Sequence, residues 1–177
     1  MKNRILLIDN SAVLHILKYA HDYKRLKKNE KSTYIIFNFL FRLQFLIRKV
    51  RPTVCVFARD SHTAKAKRRI IYPDYKIKRT KDKKPEQIAL DNIAYPQFTE
   101  VEENLLPSLG YTNIFKVPGL EADDVIASVC KNNPSSEIII VTTDEDMYQL
   151  LTNTVCILNA KRIKYFTKQD FVKKYGI

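Results

Sequence analysis

Apolar positions along the chain fall into two kinds of run, and the two alternate. Short unbroken β-branched or aliphatic runs stand at residues 4–8, 53–57, 113–117, 138–141 and 155–158, the pattern of strands buried on both faces. Between them the apolar residues recur at helical spacing. Ser11 can cap a helix that carries Val13, Leu14, Leu17 and Tyr19, and residues 34–50 set Ile35, Phe39, Leu43, Leu46 and Val50 along one face. Residues 97–109 read as a helix closed by Gly110, and Ala122, Val125, Ile126 and Val129 define another. Thr167 opens a last short helix, and residues 162–166 form a further edge strand. Residues 21–31 read as a polar, basic connection, and residues 81–96, polar and punctuated by proline, as irregular. Strands alternating with helices specify an α/β domain with a mostly parallel sheet of five or six strands.

In such sheets ligands sit beyond the carboxyl ends of the strands, and that is where the acids fall. Asp9 follows the first strand and Asp60 the second. Glu121, Asp123 and Asp124 follow the third, and Asp144, Glu145 and Asp146 the fourth. One such residue alone is adequately explained as a helix cap, and Asp144 could cap residues 146–151. The convergence is different, because two carboxylates about 4 Å apart repel by roughly 4 kcal/mol at an effective dielectric near 20. A cation should lie among them. Oxygen donors without matched Cys or His favour Mg²⁺ or Mn²⁺ over zinc.

Composition narrows the partner. The formal net charge is +12 over 177 residues, and it is uneven. Residues 61–84 hold ten Lys or Arg (Lys65, Lys67, Arg68, Arg69, Lys76, Lys78, Arg79, Lys81, Lys83, Lys84) against Asp74 and Asp82, interleaved with Tyr72 and Tyr75. A basic stretch with aromatics beside an acidic cation site fits a nucleic acid lying across both. No apolar run is long enough to span a bilayer, since residues 34–50 are broken by Asn38, Arg42, Gln44, Arg48 and Lys49, and the start is too short in apolar residues for a signal peptide. A cytoplasmic protein without a membrane partner is expected, in the host cytoplasm if phage-encoded. Cys55, Cys130 and Cys156 are odd in number and lack CxxC spacing, so they read as core thiols.

The strand-end Asp9 in LLIDN, Asp60 followed by Arg68-Arg69 and YPDYKIKR, GLEADD and TTDEDMYQLL occur in an order that resembles the 5′ nuclease family, the flap endonucleases and 5′-3′ exonucleases with a PIN-like domain, phage members such as the T-even ribonuclease H above all. The resemblance implies a three-layer PIN-like fold over residues 1–177 with a basic helical arch or flexible loop, and cleavage of phosphodiesters near a 5′ end or flap of DNA or an RNA–DNA hybrid. It implies one or two Mg²⁺ or Mn²⁺ ions on Asp9, Asp60, Glu121, Asp123, Asp124, Asp144 and Asp146. Lys76 and Arg79 would face the scissile phosphate as catalytic groups. Tyr75 would meet a base or sugar, and Lys65, Lys67, Arg68, Arg69, Lys78 and Lys81 would join it in holding the strand. Family members continue into a helix-hairpin-helix region that grips duplex and adds ligands to the second metal, a segment expected to be absent from this chain or supplied separately. Two alternatives stand beside this reading: a nucleic-acid-binding module without independent catalysis, and a Toprim-like phosphotransfer domain, which would need its Glu directly after an early strand.

Overall fold

The computed structural model describes residues 3–20, 26–75 and 83–176. Lys76, Lys78, Arg79 and Lys81, assigned above to phosphate contact, lie outside the described residues, as does part of the expected 21–31 connection.

Strands β1 (Arg4–Asp9), β4 (Val54–Ala58), β5 (Ile114–Phe115), β6 (Glu137–Thr142), β7 (Val155–Asn159) and β8 (Tyr165–Phe166) form one sheet in the order β5-β4-β1-β6-β7-β8. The first five are parallel, and β8 joins β7 antiparallel at the edge. Two residue pairs, β2 (Lys27–Lys28) and β3 (Lys31–Ser32), make a small hairpin at the end of the stretch read as a polar, basic connection. Helix α1 (Asn10–Lys18) leaves β1 directly, α2 (Tyr34–Val50) precedes β4, and α3 (Ala64–Ile71) follows it. Helix α4 (Pro85–Thr99) runs on through a π-helical turn (Glu100–Leu105) and a closing turn (Leu106–Ser108). Helices α5 (Ala122–Asn132) and α6 (Lys168–Tyr175) complete the chain.

Successive residues of a strand face opposite sides of a sheet, which splits the core in two. Leu6, Ile8, Phe57, Ile139 and Leu158 pack on one side with Val13, Leu14, Phe39, Leu43 and Leu46 of α1 and α2. Ile5, Leu7, Val56, Ile138, Ile140 and Ile157 pack on the other with Val125 and Ile126 of α5. The result is the expected three-layer α/β architecture. The three cysteines are half-buried free thiols, each pushed up to about 11 by burial.

Residues 85–96 correct the expectation of irregular structure, because they form most of α4. The apolar period is missing because the helix buries Asp91 and Gln97 beside Ala94 and Phe98. The buried amine of Lys18 and the exposed Lys83 both donate to Asp91, and Gln97 accepts from the Ile35 amide and donates to the Ile93 carbonyl. Polar residues thus fill core positions by pairing with groups far away in sequence. A second correction concerns α1, which is capped by Asp9 and not by Ser11.

Replacing Asp91 by Asn would leave the Lys18 ammonium buried without a counter-charge, a loss on the order of 3 kcal/mol. Urea unfolding should show a clearly lowered midpoint for Asp91→Asn. An unchanged midpoint would remove this pair from the account of why α4 forms.

Candidate active site

Asp9 ends the central strand β1, where register sets it beside Ala58 of β4, one residue beyond the pair Ile8–Val141 with β6. Only 4% of Asp9 is exposed. Its Oδ1 accepts from the Ala12 amide at 2.9 Å and its Oδ2 from the Thr142 hydroxyl at 2.8 Å. Thr142 also accepts from the Asp144 amide at 3.1 Å, so one hydroxyl ties the ends of β1 and β6 together. Burial pushes the Asp9 carboxyl up to about 7; the two hydrogen bonds oppose that rise, and the charges of Asp123 and Asp60 add to it.

Asp60 is exposed just past β4, with its Oδ1 accepting from the Ala122 amide at 2.9 Å, at the first turn of α5. That bond joins two strand ends in the way Thr142 joins the others. Gly119, at φ +79°, turns the chain into α5, and its amide is held by the hydroxyls of Ser61 and Thr63 at 3.3 and 2.9 Å. A Cβ on Gly119 would come within 2.7 Å of Cδ of Lys67, so the stem of this lysine crosses the turn in contact with it.

Glu121 caps α5 and is buried, whereas Asp123 and Asp124 are half-buried in the first helical turn. Arg68 of α3 donates to Asp124 at 2.8 Å and lies 3.4 Å from Glu121. Tyr75 donates its hydroxyl to Glu121 at 2.8 Å and receives the Arg68 guanidinium at 3.0 Å. Arg68 is therefore committed to carboxylates, unlike the exposed Lys65 and Lys67, and the hydroxyl of Tyr75 is turned toward Glu121. Arg69 donates to the Tyr75 carbonyl at 3.1 Å. Asp144 and Asp146 are exposed, and Asp144 caps the turn Glu145–Leu150 by accepting from the Asp146 amide.

Local sequence pattern did not show four of the residues that organise this edge. Arg59 and Asn10 both reach Glu102, at 2.7 and 2.9 Å, and Arg59 also reaches Glu103 at 3.3 Å. Glu102 lies in the π-helical turn, a deviation from α geometry that recurs at functional sites. This network steadies the residues after β1 and β4 from the far side of the cleft. Thr142 is the fourth, visible in TTDED but without a recognisable role until β6 is placed beside β1. The cleft between α1, α4 and the ends of β4 and β5 encloses about 680 Å³ and is lined by His15, Asp60, Lys65, Lys83 and Lys116, with the buried Lys18 at its wall.

The sequence profile of the family described as "5′-3′ exonuclease, N-terminal resolvase-like domain" matches residues 4–176. The chain belongs to that family. The domain is 34% identical over 147 residues to a 5′-3′ exonuclease of Aquifex aeolicus, covering 82% of this chain and 47% of the relative. It is 25% identical over 179 residues to a 5′-3′ exonuclease of Buchnera aphidicola, covering 99% of this chain and 58% of the relative. It thus spans about half the length of these curated relatives. Its fold matches the T5 D15 protein co-crystallised with metal ions at a TM-score of 0.80, with 18% identity over 99% of this chain and 62% of that one. A T5 D15 flap endonuclease in a pseudo-enzyme–product complex with DNA and metal ions matches at 0.79, with 18% identity over 99% of this chain and 61% of that one.

The donors present suit a hard divalent cation. The carboxylates at the strand ends are joined by Asn10, a buried residue whose Oδ1 has no hydrogen-bond donor among the described residues. Among those residues no three His, Cys, Asp or Glu side chains are gathered tightly enough to enclose an ion as they stand. The charges of Asp60 and Asp123 are near enough to raise the cost of ionising Asp9.

The Asp9 carboxyl gives the metal-free domain a pH-dependent stability. Its folded value near 7 lies above the ordinary 3.8, so between those limits the folded chain holds a proton that the unfolded chain has released. Stability accordingly falls as pH rises from about 4 to about 7, by on the order of 4 kcal/mol, and is flat above. In the presence of a chelator, Asp9→Asn should remove most of that slope and unfold at higher denaturant than wild type at pH 8. Identical pH profiles for the two proteins would contradict the burial assigned to Asp9.

Proposed function

We propose that the chain is the nuclease domain of a divalent-metal-dependent 5′ nuclease, one that hydrolyses phosphodiesters near the 5′ end or flap of DNA or of an RNA–DNA hybrid. The observation that carries this reading is the buried Asp9 at the end of the central strand, repelled by Asp60 and Asp123, which follow the next two strands of the sheet. A fold with no use for a cation there gains nothing by keeping three acids so placed.

Asp9, Asp60, Asp123 and Asp144 would hold Mg²⁺ or Mn²⁺, with Glu121, Asp124 and Asp146 adjusting position and charge around one or two ions. Such an ion supplies a water of lowered pKa and stabilises charge on the attacking and leaving oxygens. The chain's own groups do the rest. Thr142 keeps an Asp9 oxygen oriented, and the Ala122 amide does the same for Asp60. Arg68 offsets the charge of Asp124 and Glu121 before substrate arrives. Lys76 and Arg79 would neutralise charge gathering on the phosphate in the transition state. Lys65, Lys67, Arg69, Lys78 and Lys81 would track the neighbouring phosphates, with the ring of Tyr75 available to a base or sugar.

Asp123→Asn should reduce Mg²⁺-dependent cleavage of a labelled 5′-flap substrate by about 10²–10³-fold, the scale of losing one electrostatic stabiliser, with binding retained. Chelation by EDTA should stop the wild type. Binding without cleavage in every arm would leave the alternative of a nucleic-acid-binding module, and cleavage by Asp123→Asn at the wild-type rate would end the ligand assignment. If about five cations of residues 65–81 meet a single strand, log K for that strand should fall with log salt at a slope of about −3.5. A slope near zero would exclude that contact set.

A further inference from the structure

The last residue pair of the β1–β4 ladder is Asp9 with Ala58, and the two chains part beyond it. Asn10 enters α1, while Asp60 is exposed past the end of β4. Strand pairing therefore does not fix how far the Asp9 carboxylate stands from that of Asp60, and the hydroxyl of Ser11 reaches the Asp60 amide only at 3.4 Å. Among the described residues the side chain that spans the gap is Glu102. Its Oε1 accepts from Nδ2 of Asn10 at 2.9 Å, and its Oε2 meets the Arg59 guanidinium at 2.7 Å. Asn10 adjoins Asp9 and Arg59 adjoins Asp60, so one carboxylate grips the neighbours of two acids.

The grip is shaped by the chain around it. Within the π-helical turn the Leu106 amide bonds the Val101 carbonyl, five residues back. The next amide in that register would belong to Pro107, which has no N–H to give. The Glu102 carbonyl is thus left without a helical donor, and Nη1 of Arg59 lies 3.5 Å from it. Backbone and side chain of Glu102 hold the same arginine. Asn10 is fully buried and Arg59 only 7% exposed, so these bonds are little screened by salt or water. Among the described residues Asn10 Oδ1 and Arg59 Nε have no hydrogen-bond partner, polar capacity that a network kept for stability alone rarely leaves unused. Glu103 also lies near the Arg59 guanidinium, at 3.3 Å, but its other cationic neighbour is Lys116 and not Asn10. Charge beside Arg59 and the link to Asn10 are therefore separable.

We propose that Glu102 is a positioning residue of the nuclease site, which sets the spacing of Asp9 and Asp60 through Asn10 and Arg59 and so decides how tightly a divalent cation is held between them. The inference rests on the nuclease reading and adds to it a residue that does not itself meet the cation. Carboxylates that share a cation repel one another before it binds, and a site already spaced for the ion loses none of its affinity to gathering them. Residues that orient metal ligands from behind carry effects of about 10–100-fold on metal affinity or activity.

The test compares wild type with Glu102→Ala, Asn10→Ala, the double variant and Glu103→Gln. Each is titrated with Mn²⁺ by calorimetry after chelator treatment, assayed for cleavage of a 5′-flap substrate in Mg²⁺, and unfolded in urea without metal. Glu102→Ala, in which Arg59 keeps Glu103 as counter-charge, should bind Mn²⁺ and turn over substrate about 10–100-fold less well, with the loss in kcat and KM near wild type. Asn10→Ala should show the same defect, and the double variant no more than either alone, because both cut one link. Glu103→Gln should match wild type. Wild-type Mn²⁺ affinity and kcat in Glu102→Ala, whatever its urea midpoint, would overturn the role of Glu102 alone. Additive losses in the double variant, or an equal defect in Glu103→Gln, would do the same. If Glu102→Ala does not fold, Asn10→Ala decides by itself, weakened Mn²⁺ binding supporting the role and wild-type binding overturning it. A wild type that holds Mn²⁺ without cleaving would overturn the nuclease reading and leave the Mn²⁺ comparison to decide the role of Glu102; a wild type that holds no Mn²⁺ would overturn both.

Discussion

The domain is arranged around a carboxylate that it makes expensive to ionise. Asp9 lies at the end of the innermost strand, out of water, with the charges of Asp60 and Asp123 directed against it. Two hydrogen bonds are its compensation, and both come from elements that must be placed correctly: the Ala12 amide from the first turn of α1 and the Thr142 hydroxyl from β6. The side chain therefore reports on the folding of the whole central sheet. Burial of the flanking residues Leu6, Leu7, Ile8 and Val141 makes that position unavoidable, because each would lose about 2 kcal/mol of burial if the strand slipped outward.

The other acids are handled differently. Asp60 and Asp144 are exposed, Asp60 accepting from the Ala122 amide at the start of α5 and Asp144 capping its own turn, and Asp124 is paired with Arg68. The acids at this edge are consequently graded, from a buried carboxyl pushed up to about 7 in the middle through ion-paired ones to solvated ones at the rim. The basic residues are graded too. Arg68 is engaged inward while Lys65 and Lys67 of the same helix are exposed, and the Lys67 stem passes close over the turn at Gly119.

Much of this was legible in the sequence, for a physical reason. Parallel strands buried on both faces announce themselves as unbroken apolar runs, and the rule that sites lie at their carboxyl ends turns a list of acids into a location. Asp9, Asp60, Glu121, Asp123 and Asp144 could therefore be placed on one edge before any coordinates. Helix α4 could not be read, because its core-facing Asp91 and Gln97 depend on Lys18 and Ile35 from remote segments. Nor could the roles of Thr142, Asn10, Arg59 and Glu102, whose partners are separated by 43 to 133 residues. The commitment of Arg68 and the Tyr75 hydroxyl to the acids was equally hidden, since a basic run in sequence does not reveal which of its members turn inward.

The central claim is that acids from four separate strand ends share one cation. Calorimetric titration of Mn²⁺ into the chelator-treated chain at pH 7, repeated with the Asp9→Asn/Asp123→Asn double variant, tests it most directly. The account predicts saturable binding by the wild type, accompanied by release of protons, and loss of that binding in the variant. Equal Mn²⁺ binding by the two proteins would contradict it.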